Sequence, residues 1–273
     1  MWVLYPKLGL EATLEIFEEL GLRYLEYPYE LFRDFEPEGV RARVSEVAGI
    51  AESFNLVPYQ LHAEYGDVCF ELASLDEGVR SSAFARIARW VEYAAELGVK
   101  VLVVHAAFPK PLLEASYDKV VERIVEIDVA YLRDLSRVGE DHGVVIAVEN
   151  CVEPWFCSSP ADLLLLMERV SSDHVGVCLD TGHLNVNGLD VASAVRVLAS
   201  HMVATHLHDN DGRRDLHLPP LSGCIDWRGV MKAFSESGYK GPLIYEFSSP
   251  EGQSARNAVE VIKLVTWYLR GLV

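Results

Sequence analysis

Positive charge is scarce in this chain. Its 273 residues carry 24 lysines and arginines against 41 aspartates and glutamates, a formal net charge of −17 at pH 7. Such a field repels phosphate backbones and disfavours a nucleic-acid partner. Cysteine is sparse as well. The five copies, Cys69, Cys151, Cys157, Cys178 and Cys224, form no CxxC pair. An odd number in a long chain argues against a disulfide framework, so a reducing cytoplasm is the expected setting. Apolar stretches are only about four to eight residues long, too short to span a bilayer. The opening MWVLYP lacks the basic start and apolar run of a signal peptide. No GxGxxG follows the first predicted strand, which removes the usual mark of a dinucleotide fold. No linker, internal repeat or low-complexity segment divides the sequence, so residues 1–273 read as one domain.

Half of the residues are hydrophobic, enough for a large core. They are arranged as eight alternations of a short apolar strand with a longer amphipathic helix. The expected strands are Val3–Tyr5, Tyr24–Tyr27, Leu56–Leu61, Val99–Val104, Val144–Val148, Val175–Leu179, Val203–Thr205 and Leu243–Tyr245. Between and after them, 10–20, 37–54, 82–97, 117–138, 160–170, 189–198, 227–237 and 256–269 read as helices. Several of these stop at a glycine, among them Gly21, Gly98 and Gly238. Strands apolar on both faces imply a parallel sheet covered by helices. Eight units in this length fit an α/β fold of the (β/α)8 TIM-barrel type, with an open doubly wound sheet as the rival.

Six of the expected strands run into a residue that can bind metal: His62, His105, Glu149, Asp180, His206 and Glu246. In a barrel these positions share the C-terminal rim, where active sites are built. One strand-end histidine is more often a packed, hydrogen-bonded residue than a ligand. The repetition at successive strands carries the inference. A carboxylate that ends an apolar strand, as Glu149 and Glu246 do, needs a partner or a cation to offset its desolvation. Asp180-Thr181-Gly182-His183 is a compact pair, with Asp180 as a helix cap the alternative. In His206-Leu207-His208-Asp209, strand geometry puts His206 and His208 on one face. His206 is the expected ligand, and His208 is either substrate-facing, a support behind the ligands, or a packed polar residue. Asp215 and His217 follow in a polar loop with Asp209, Asp211, Arg213 and Arg214, where a solvent-exposed reading competes with ligation. His142, His174 and His201 precede strands and belong to the opposite end. Tyr27, Pro28, Tyr29 and Phe32 are candidate walls for a small polar substrate.

The segments VENC, VCLDTGH, THLHDNDGRRDLHLPPLSGCIDW and YEF resemble the xylose isomerase-like barrel superfamily. It holds sugar isomerases and epimerases as well as endonuclease IV. The epimerase branch implies one divalent ion, Mn, Co, Mg or Zn, on Glu149, Asp180, His206 and Glu246. It further implies that Glu149 and Glu246 move a proton on opposite faces of a carbon through a metal-stabilised enediolate. His62, His105, His183 and His208 are then expected to face a small keto sugar or polyol. The endonuclease branch implies up to three Zn on His62, His105, Glu149, Asp180, His183, His206, Asp215, His217 and Glu246, with an apurinic site or phosphoester as substrate. His105-Ala106-Ala107 departs from the HPG-like turn of that branch, and the acidic balance does not favour DNA. The sugar isomerase or epimerase is therefore the expectation, and the endonuclease IV-like phosphoesterase the alternative. Relatives of this kind often form homo-oligomers, and no membrane partner is expected.

Overall fold

The structure is a computed structural model that describes residues 3–108, 117–153, 155–248 and 254–272. Six strands form one parallel sheet in sequence order: β1 Tyr24–Tyr27, β2 Val57–His62, β3 Val101–Val104, β4 Val145–Glu149, β5 Val175–Asp180 and β6 Met202–His206. Helices alternate with them, the longest being Glu77–Glu96, Tyr117–His142 and Ala255–Arg270. The sheet curls strongly. Tyr59 Oη of β2 donates to Val203 O of β6 at 3.2 Å, and Gln60 Nε2 reaches Thr205 O at 3.3 Å, although three strands separate β2 from β6 in the sheet.

Two layers of packing follow from the two-residue period of the strands. Leu61, Leu102, Val104, Ile146, Val148, Val177 and Leu179 face outward into the main core beneath the helices. Val101, Val103, Ala147, Cys178 and Ala204 face the concave side as a separate small cluster. Small residues suit that side, where the curled strands converge. One more step of the same period brings His105, Glu149, Asp180 and His206 onto the concave side, at the C-terminal rim. Register does the rest, because Asp180 lies opposite His206 and Val104 opposite Val148.

Three expectations need correction. Val3–Tyr5 is not a strand: Val3 and Leu4 form a turn, and Tyr5–Leu8 is a short helix. Pro6 lies in its first turn, where its fixed φ and missing N–H favour a helix start. The expected last strand, Leu243–Tyr245, is present as a single parallel bridge between Leu207 and Tyr245. Leu207 N donates to Ile244 O at 2.8 Å and Glu246 N to Leu207 O at 3.1 Å, so the segment follows β6 in the parallel sense. The described sheet is thus a curled parallel half-barrel with one further bridged segment. Finally, Tyr27 and Phe32 are fully buried, with Phe32 packed edge-on against Trp90 at 5.7 Å. They pack in the main core. Among the described residues no helix is long and apolar enough to cross a membrane.

Candidate metal centre

Glu149 is the hub of the rim. Its Oε2 lies 3.2 Å from His62 Nε2 and 3.1 Å from His105 Nε2, and its Oε1 lies 2.9 Å from His206 Nδ1. Glu246 Oε2 is 3.4 Å from the same His206 Nδ1, and Asp180 Oδ2 is 4.0 Å from it. Glu149, Asp180, His206 and Glu246 are all buried, and each offers one ligand atom within 4.8 Å of the others. His62, His105 and Glu149 make a second such group, as do His62, His206 and Glu246. A further group joins His183, His208, Asp215 and His217. Every candidate ligand named from the sequence therefore belongs to at least one of these groups. His142, His174 and His201 belong to none of these groups.

The backbone aims several of these rings. His62 Nδ1 lies 2.8 Å from Ala63 O, His183 Nδ1 2.8 Å from Asn150 O and His217 Nδ1 3.0 Å from Glu246 O. A carbonyl only accepts, so each Nδ1 carries the proton and donates. Nε2 of each ring is left to face the carboxylates: His183 Nε2 is 3.4 Å and His217 Nε2 3.0 Å from Asp215 Oδ2. His208 bonds Asp180 Oδ2 through Nε2 at 2.9 Å and stacks on His217 with centroids 4.1 Å apart. His208 is therefore a support for Asp180 as well as a member of the fourth group.

The Asp180 turn depends on a missing side chain. A Cβ on Gly182 would sit 1.9 Å from His208 Cε1, so only glycine lets the ring reach Asp180. Asp180 also caps the following short helix Thr181–Val186 by accepting from His183 N at 2.7 Å. The capping and the ligand-type readings thus hold together. Asn150 braces the same strand end, accepting from Asp180 N at 2.8 Å and donating to Asp180 O at 3.0 Å.

The loop after β6 is ordered by a buried acid. Asp209 is fully buried and accepts from Gly223 N, Ile225 N and Trp227 Nε1 at 3.0, 3.2 and 2.8 Å. A Cβ on Gly223 would meet Asn210 O at 2.2 Å, so this closure also needs glycine. The loop carries Asp215 and His217 back over the rim. His217 takes a φ of +43°, a left-handed conformation uncommon for a residue with a side chain. Arg214 bonds Asp211 at the surface, and the Asp211 carboxylate accepts from the backbone N–H groups of both arginines.

Electrostatics separates the acids. Burial pushes the Glu149 carboxyl up, but His206, His105 and His62 outweigh it and hold the group well below the usual range. Glu246 goes the other way, to about 7, because burial with Glu149 and Asp180 nearby outweighs His206 and His217. Burial alone would lower the histidines. Glu149 and Glu26 raise His62 to about 9, and Asp215 and Glu246 raise His217 to about 9. His105 is lowered, since burial there exceeds the help from Glu149. Three buried site atoms, His208 Nδ1, Asp215 Oδ1 and Glu246 Oε2, have no hydrogen-bond partner among the described residues. Orphaned acceptors beside converging carboxylates are what a cation satisfies. The residues fit a divalent ion.

One acid escaped the sequence reading. Glu26, the third residue of β1, is buried and lies 2.7 Å from His206 Nε2. An acidic residue between Leu25 and Tyr27 in an otherwise uncharged strand was the available signal.

The sequence profile of xylose isomerase-like TIM barrels matches residues 14–265. The chain belongs to this family. Within it, an uncharacterized protein of Methanocaldococcus jannaschii is 29% identical over 215 residues, which are 77% of this chain and 69% of that protein. The L-ribulose 3-epimerase of Mesorhizobium japonicum is 26% identical over 247 residues, 89% of this chain and 76% of that one. A solved D-tagatose 3-epimerase-like protein superposes with a TM-score of 0.79 at 25% identity, covering 96% of this chain and 94% of the other. The xylose isomerase-like family thus joins this curled sheet to epimerase-type relatives along most of the chain.

Proposed function

We propose that this protein is a divalent-metal-dependent epimerase or isomerase of a keto sugar or polyol. The observation that carries the reading is the four-residue group Glu149, Asp180, His206 and Glu246, buried and converging within 4.8 Å. The match to the xylose isomerase-like family and the likeness to ketose epimerases support it. We also read the fold as a TIM-type barrel that is open at one seam among the described residues. An apolar cleft of about 360 Å³ between β1 and 242–245, with Val3 among its walls, lies where one more strand would complete the ring.

Glu149, Asp180, His206 and Glu246 would hold the ion. When bound, it supplies Lewis-acid polarisation of neighbouring substrate oxygens. The protein's own contribution is proton transfer. Glu149 is held ionised and is competent to take a proton from the carbon beside the carbonyl. Glu246 is the second carboxylate and would return a proton on the other face; without an ion, burial beside Glu149 and Asp180 pushes it up to about 7. Two carboxylates whose environments drive their proton affinities apart make an acid and base pair. The reverse reaction exchanges their roles. His183 and His217, aimed by backbone carbonyls, flank this pair and can hydrogen-bond substrate hydroxyls.

The test is deuterium exchange into keto sugars in D2O, followed by NMR. Wild-type protein loaded with Mn or Co should label the carbon next to the carbonyl. Glu149→Gln and Glu246→Gln should each lower the labelling rate by at least about 10²-fold, the lower range for acid–base catalysis. Labelling unchanged by either substitution would refute the assignment.

One observation favours a second reading. The groups His62/His105/Glu149 and His183/His208/Asp215/His217 stand beside the four-residue group, so residues for more than one ion are at hand. Several ions together suit phosphoester hydrolysis of the endonuclease IV kind. Elemental analysis separates the two. About one ion per chain supports the epimerase, and close to three Zn, with cleavage of abasic DNA, supports the phosphoesterase.

A further inference from the structure

His206 is held unlike its neighbours. His62, His183 and His217 each donate Nδ1–H to a backbone carbonyl. His206 instead turns Nδ1 toward the carboxylates of Glu149, Glu246 and Asp180 at 2.9, 3.4 and 4.0 Å. Its Nε2 points the opposite way, to Glu26 Oε2 at 2.7 Å. Glu26 belongs to β1 and His206 to β6, so the contact crosses the concave side of the sheet. Gln60 Nε2 of β2 donates to the same Glu26 oxygen and also to Thr205 O at 3.3 Å, beside His206. All three side chains are buried. Glu26 is a member of none of the ligand groups.

We propose that Glu26 is a positioning residue: it holds His206 as the Nε2–H tautomer, presents Nδ1 to the cation, and is itself held by Gln60. The proposal rests on His206 being a metal ligand. An imidazole has two nitrogens, and the one that binds is decided by what the other donates to. A carboxylate partner also makes the ligand nitrogen more basic, and loss of such partners lowers metal affinity by about 10–100-fold. Oppositely placed carboxylates give His206 both effects with no further residue. Glu26 does not touch the reacting atoms; it hydrogen-bonds His206, and its field also reaches His62.

The experiment is titration of chelator-treated full-length protein with Co²⁺, by calorimetry and by the visible absorption of the ion. Glu26→Ala should weaken binding about 10–100-fold and alter the absorption band. Glu26→Gln, whose amide oxygen still accepts Nε2–H but carries no charge, should recover part of the affinity. In a His206→Ala background, Glu26→Ala should cost nothing more. Wild-type affinity in Glu26→Ala, a Gln variant as weak as Ala, or losses that add in the double variant would each overturn the proposal. If Glu26→Ala does not fold, Gln60→Leu carries the comparison: a smaller loss of affinity supports the proposal, and wild-type affinity overturns it. The two readings fail differently. Unchanged affinity in His206→Ala removes the four-residue site and this proposal together. Unchanged affinity in Glu26→Ala beside a weakened His206→Ala removes only the proposal.

Discussion

Gly182→Ala tests the geometry of the centre with a single methyl group. Gly182 lies inside the short helix Thr181–Val186, so alanine has no backbone penalty there and the helix itself would gain slightly. The obstacle is the His208 ring. The new Cβ would lie 1.9, 2.4 and 2.6 Å from Cε1, Nδ1 and Nε2. Ordinary carbon contacts are about 3.5–4.0 Å, so the ring must retreat by roughly 1.5 Å or more. It cannot do so and keep its 2.9 Å bond to Asp180 Oδ2 or its 4.1 Å stack on His217. Overpacking costs about 1–3 kcal/mol, and an unpaired buried acceptor about the same again. We expect Gly182→Ala to lose about 2–6 kcal/mol in urea denaturation by these two effects. Metal affinity should fall as well, because Asp180 loses its brace. The double variant Gly182→Ala/His208→Ala isolates the cause. With the ring gone the methyl has room, so the double variant should be no less stable than His208→Ala alone. Wild-type stability and metal binding in Gly182→Ala, or simple addition of the two single losses, would refute the reasoning.

Two further substitutions test parts of the frame. Asp128 is fully buried, accepts from Ala107 N at 2.7 Å below the loop that follows His105, and is pushed up to about 8 by burial. The folded state then keeps a proton that the unfolded chain loses near pH 4. Stability should fall as pH rises from about 4 to about 8, by up to about 1.4 kcal/mol per pH unit. Asp128→Asn keeps the bond to Ala107 and cannot ionise. Relative to wild type it should gain about 2–4 kcal/mol between pH 5 and pH 8 in urea melts, and a flat difference would contradict the argument. Asp209→Ala leaves Trp227 Nε1 and the N–H groups of Gly223 and Ile225 without their acceptor. A loss of about 3–5 kcal/mol, typical of a buried network broken on one side, is expected by thermal melting, with weaker binding of any cation that uses Asp215 or His217. Stability within about 0.5 kcal/mol of wild type would mean the loop is held by other contacts.

The strand-end residues were legible because two periods coincided. An apolar run that stops at His62, His105, Glu149, Asp180 or His206 marks both the end of a strand and a polar group on its concave face. Glu26 was missed for the complementary reason. It lies inside Tyr24–Tyr27, not at its end, and its partner His206 is 180 residues away on the far side of the curl. Asp209 was read with its polar neighbours as part of an exposed loop. Its acceptor role depends on Gly223, Ile225 and Trp227, which lie 14 to 18 residues further on and return only when the loop folds back. Val3–Tyr5 looked like a strand by hydrophobicity alone, and Pro6 decided otherwise. Tyr27 and Phe32 have the composition of a pocket wall, but no local pattern distinguishes that from the core in which they are buried.

The ligand groups differ in how their histidines are held, and this orders them. The four-residue group contains three carboxylates and one imidazole, and that imidazole is backed by a fourth carboxylate, Glu26. The group over the rim contains one carboxylate, Asp215, and three imidazoles, two of which are fixed by neutral backbone carbonyls. Attraction for a dication grows with the negative charge gathered around it and with the dryness of the site. Glu149, Asp180, His206 and Glu246 are all buried, whereas the Asp215 and His217 side chains are 23% and 19% exposed. On the proposed ligand set a first ion would take the carboxylate-rich group, between the two glutamates proposed to move the proton. The rim histidines would then be left to meet the substrate, as the proposed function requires. On the proposed reading a single ion would fill this group first, and a multinuclear centre would be reached through it.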